Sequence, residues 1–179
     1  MANETNNNLI KYGVFGIVAL VAINKLFGAV SGLASGLLQK FGLSADPTVK
    51  KAAQYIAKFY AAQQAKGAGS YWSPAYWKAK SPNTKLIYDP NINAYVYSLT
   101  RKIYDGIGYT YDTPQQIIDA FKAINSKLGV SVVASDFSYM YNQDLLSFLV
   151  SKLDTDEQVK FLLSIIQYTE GLPDIISGQ

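Results

Sequence analysis

Residues 12–38 read YGVFGIVALVAINKLFGAVSGLASGLL, an apolar run whose one strongly polar interruption is Asn24-Lys25. A helix needs about 20 consecutive apolar residues to cross the hydrocarbon core of a bilayer. This run is long enough and nothing later in the chain matches it, so a transmembrane helix is expected here. A secretory signal would be shorter and would start from a more basic segment than MANETNNNLIK. A core helix would carry one apolar and one polar face, whereas residues 12–23 are apolar all round.

Lys25 constrains the placement. A charge at mid-bilayer costs about 2.5–3.5 kcal/mol. A span from Leu9 to Asn24 puts Lys25 at the interface. A longer span has Lys25 facing a partner helix or snorkelling to the headgroups. The second half of the run supplies a reason for a partner. Gly28, Gly32 and Gly36 recur every four residues, with Ser31 and Ser35 beside them, a spacing that lets two helix backbones approach closely. Upstream of the run stands only Lys11, partly offset by Glu4, while Lys40, Lys50, Lys51 and Lys58 follow it. The positive-inside rule then places the C-terminal domain on the cytoplasmic-like side.

Outward from the run, the chain divides into a polar tail (1–11), the membrane and packing helix (12–40) and a helical domain (46–179). The 179 residues include no cysteine and no histidine. This excludes disulfides, thiolate metal sites and every Ser-His or Cys-His pair. The net charge of +3 is uneven: residues 46–102 hold nine Lys/Arg against two acids, and residues 103–179 four Lys against ten acids. Basic residues beside a membrane segment attract anionic headgroups. They are scattered rather than clustered, so no nucleic acid is expected.

Within the domain, Asp46-Pro47 is a helix start, a capping residue followed by proline at the first helical position. Val49, Ala53, Ile56, Phe59 and Tyr60 form its apolar face, and Gly67 stops it. Residues 67–92 are punctuated by Gly67, Gly69, Pro74, Pro82 and Pro90 and read as a long loop. Its Tyr71, Trp72, Tyr76 and Trp77 suit an interface with membrane or protein; equally, they could pin the loop to its own domain. Five further helices are expected: 93–107, one opening at Thr113-Pro114, 130–141, one around Leu145–Leu153, and one capped by Asp154-Thr155-Asp156-Glu157. No segment alternates with period two, so the fold class expected is all-α.

The stretch from Ile103 to Gln167 resembles a single annexin-type repeat. It has a Gly-x-Gly turn (Gly106, Gly108), a Thr-capped helix carrying IIDAF, the Tyr141/Asp144-Leu145-Leu146 segment and an acidic-capped last helix. The resemblance implies a small annexin-like helical domain behind the membrane helix. Similar single repeats occur in uncharacterised proteins of Bacteroidetes-type bacteria and flavobacterial phages, which points to a structural role. Annexins bind calcium and anionic membranes through that glycine loop plus a downstream acid. Here Lys152 stands in the acid's place and the loop is lengthened by Tyr109, Thr110 and Tyr111, so no metal and no cofactor are expected.

The reading that results is a membrane-anchored structural protein rather than an enzyme. Its partners are the lipid bilayer and a protein or second copy met through the membrane helix. A virion component that links an internal membrane to a capsid, or oligomerises in that membrane, is the most concrete form; a bacterial inner membrane is the other location. The alternatives are a peripheral annexin-like lipid-binding module and, more remotely, a cell-wall-acting enzyme using the Trp/Tyr loop. For the enzyme no carboxylate pair stands out: Asp136 and Asp144 are isolated, and Asp154, Asp156 and Glu157 sit at a helix start.

Overall fold

A computed structural model describes residues 32–80, 90–107 and 114–174. Residues 1–31, with Lys25 and Gly28, lie outside this range, as does most of the expected membrane helix. Among the described residues every regular element is helical, and no helix is long and apolar enough to cross a membrane. The chain divides into two compact units, Met1–Ala62 and Gln63–Gln179. The boundary falls within the helix Pro47–Lys66.

In the first unit, α1 (Gly32–Phe41) buries Ala34, Leu37, Leu38 and Phe41, a stripe at helical spacing. A short turn leads to α2 (Pro47–Lys66). The Asp46 carboxylate accepts the Thr48 amide at 2.8 Å, the expected cap. Val49, Ala53, Ile56, Phe59 and Tyr60 are all buried. The helix passes into the second unit and ends at Gly67, whose φ of +52° is left-handed and favours glycine.

The second unit is built around α6 (Lys127–Tyr141), which packs against α3 (Tyr76–Lys80), α4 (Pro90–Ile107), α7 (Leu145–Ser151) and α8 (Asp156–Glu170). Helix α5 (Pro114–Lys122) bridges α4 and α8. Val130, Val133, Ala134 and Phe137 give α6 a fully buried stripe. Caps set the helix starts. Ser126 Oγ accepts from Gly129 N, Asp144 from Ser147 N, and Thr155 exchanges bonds with Gln158 in a full capping box. Asp156 and Glu157 occupy the first turn of α8, where acids complement the helix dipole.

Three expectations change. Residues 67–80 are not open loop: a 3-10 turn (Gly67–Gly69) and α3 organise them. Helical spacing predicts an apolar face of Ala94, Val96, Tyr97, Leu99, Ile103 and Tyr104 on α4; Leu99 and Ile103 are buried, while Tyr97 and Tyr104 are exposed. A phenol tolerates solvent, so apolar spacing counted with tyrosines overstates the buried face. Gly106 lies in the last turn of α4 rather than in a Gly-x-Gly turn; Gly108 is outside the described residues.

Candidate functional site

The segment 70–77 is fastened at both ends by serines. Ser70 Oγ donates to Gln63 Oε1 at 2.8 Å and accepts the Trp72 amide at 3.1 Å. Further on, Ser131 of α6 donates to the Ser73 carbonyl at 2.6 Å and accepts the Trp77 amide at 3.0 Å. Ser131 is fully buried, and both bonds are at least partly removed from water. Between these ties Trp72 is 1 % exposed, its ring 5.8 Å from Phe121. Tyr71 OH lies 3.4 Å from Thr169 Oγ1, and burial pushes its phenol up. Tyr76 is buried as well. Tyr71, Trp72 and Tyr76 therefore hold the segment to its own core, and their rings are not a surface offered to a partner. Burying three large rings outweighs any gain from showing them to solvent.

Trp77 is different. Its ring is half-buried and helps to line a cleft of about 240 Å³ between α3, α4 and α6. Val96 and Val132 form apolar walls, Asn93 and Tyr139 stand at exposed positions, and Asp136 is the cleft's carboxylate. Burial pushes the Asp136 carboxyl up, and the Thr100 hydroxyl beside it offsets part of that shift. The hydroxyl acts on the carboxyl without a bond of good geometry. Trp77 Nε1, Thr100 Oγ1 and Asp136 Oδ2 are all buried and complete no hydrogen bond among the described residues. An unsatisfied buried polar group costs about 1–3 kcal/mol, and two of these three belong to residues lining one cleft. Trp77 Nε1 and Asp136 Oδ2 are both shut off from solvent, so they belong to the packed wall of the cleft rather than to its open space.

Gly32 and Gly36 stand on the exposed side of α1, opposite its buried stripe; a Cβ on either would meet nothing within 4 Å among the described residues. Asp144 is spent capping α7. Lys152 follows α7, its Nζ 5.4 Å from the centre of the Phe148 ring. No group of three acidic residues among the described ones could hold a metal ion. Asp136 was legible only as an isolated acid, because Trp77, Asn93 and Val96 line the same cleft from other helices. One faint signal existed: a carboxylate in the middle of α6, a helix with a continuous apolar stripe.

Set beside protein-family models, curated proteins and solved structures, the chain matches none of them.

Proposed function

We propose that this protein is a membrane-anchored structural module. In this reading the apolar run within residues 12–40 holds the chain in a bilayer, and the helical domain on the cytoplasmic-like side mediates assembly. A second copy or another protein meets it along Gly28, Gly32 and Gly36, with Lys25 at the interface of lipid and partner. A component of a membrane-containing virion, joining membrane to capsid or oligomerising in the membrane, is the form that best joins the anchor to the annexin-like resemblance. The function is interaction rather than catalysis, with no cofactor.

The open glycine face of α1 carries this reading. Glycine inside a helix costs about 1 kcal/mol relative to alanine. At Gly32 and Gly36 no neighbour among the described residues uses the room that the missing side chain leaves. Such room is what a second helix backbone needs to come close. The length and apolarity of the run itself are the second support.

Alkaline carbonate extraction of membranes from cells making the full chain tests the anchor. Retention in the pellet is expected, and release of intact protein into the supernatant would sink it. Crosslinking in detergent micelles tests the assembly. A Gly32→Leu/Gly36→Leu variant should lose the oligomer band of the parent, and an unchanged band removes the glycine face from the proposal.

A further inference from the structure

The part of α2 that lies in the first unit turns a lysine face outward. We infer, on the basis of the anchor proposed above, that Lys51, Tyr55 and Lys58 dock on the anionic headgroups of the same bilayer, so that α2 lies along the membrane surface.

Helical geometry sets the face. Thr48, Lys51, Tyr55 and Lys58 are all exposed and follow one another at the spacing of a single helix side. Val49, Ala53, Ile56 and Tyr60 are buried on the other side. The core therefore fixes which way the lysines point. Charge comes next. No acid stands on α2, and the Asp46 carboxylate just before it accepts the Thr48 amide. Among the described residues, neither Lys51 nor Lys58 forms an ion pair with an acid. The face is thus positive with no local counter-charge, which complements an anionic surface. Tyr55 stands between the two lysines and is 41 % exposed; a phenol suits the headgroup level. Reach comes last. α1 ends at Phe41 and α2 begins at Pro47, so the linking chain spans at most about 21 Å. A face tethered so close to a membrane-held segment meets headgroups at a high effective concentration, and two lysines are then enough. Nucleic acid is the poorer fit, since its binding grows with the number of phosphates neutralised and this face offers two cations. Lys51 and Lys58 are about 10 Å apart along the axis, so both reach the headgroups only when α2 lies flat.

The test places the full chain in lipid nanodiscs carrying a trace of gadolinium-chelating headgroup lipid and reads the relaxation of backbone amide resonances. With phosphatidylserine in the disc, the amides of Lys51, Tyr55 and Lys58 should all relax faster. Each lysine near an anionic surface contributes about a fivefold preference. Lys51→Gln/Lys58→Gln should therefore lower the docked-to-free ratio about 25-fold, either single substitution about fivefold, and discs of phosphatidylcholine alone at least as much as the double substitution. Both lysines are exposed, so the substitutions leave the core intact. Equal relaxation in the two kinds of disc, or no change in Lys51→Gln/Lys58→Gln, would overturn the inference. Relaxation at Lys51 without Lys58 would overturn it too, because tethering alone produces that pattern. An RNA oligonucleotide that binds this face and abolishes the lipid effect would reassign it to nucleic acid. Recovery of the chain outside the discs is a failure of the anchor, not of the face. The full chain is then floated with phosphatidylserine vesicles, where the parent should float and Lys51→Gln/Lys58→Gln should not; equal behaviour of the two sinks the docking face.

Discussion

The glycine register of α1 and the aromatic segment 70–77 both carry residues suited to close contact, yet their neighbourhoods are opposite. A Cβ at Gly36 meets nothing within 4 Å among the described residues. Trp72 is 1 % exposed and packed near Phe121. A large ring brings area, so its own domain can satisfy it. A glycine brings no area, only room, and the described residues leave that room empty. Residue type signals that a site favours contact; which molecule provides the contact depends on what the fold has already supplied.

The comparison can be broken most forcefully at Trp72. Trp72→Ala should destabilise the full chain by about 3–5 kcal/mol, read from urea unfolding by far-UV circular dichroism. A loss of only a few tenths of a kcal/mol, the usual range for surface substitutions, would mean that the ring is not in the core. Two glycines sharpen the other side. Gly67, at φ +52°, should resist replacement: Gly67→Ala costs about 1 kcal/mol. Gly36→Ala, under conditions where the protein is monomeric, should stabilise by about 0.5–1 kcal/mol. Thermal melts of the two variants should therefore move in opposite directions, and a destabilised Gly36→Ala would show that its face is already filled.

The smallest effect is a slope with pH. The Asp136 carboxyl keeps its proton to higher pH when folded than when unfolded. Between the ordinary carboxylate range and the raised value, the folded state therefore holds more protons. Its stability is full below that window and falls as pH rises through it. Asp136→Asn should flatten this fall without loss of stability at neutral pH. If the slope persists in the variant, it belongs to another group.

Much of the fold was legible because its signals are local. Asp46-Pro47, the Thr155 region and Gly67 mark helix ends through hydrogen bonds and dihedrals that span a few residues. The face of α2 follows from the 3.6-residue period. The tyrosines of α4 misled the same counting, because a phenol satisfies both a core and a surface. For Tyr71, Trp72 and Tyr76 the sequence left two readings, an interface or the domain's own core, and the choice depends on Gln63, Phe121, Ser131 and Thr169 arriving from other positions.

By itself, then, the sequence determined the all-α class, most helix ends and the existence of one long apolar run, since each is written in the spacing and chemistry of adjacent residues. Only the tertiary structure decided which aromatics are spent internally, that no described residue fills the face of Gly32 and Gly36, and that Asp136 and Trp77 share a cleft. Those outcomes depend on which side chains meet across elements, and residues such as Trp72 and Phe121, or Tyr71 and Thr169, are separated by tens of positions along the chain.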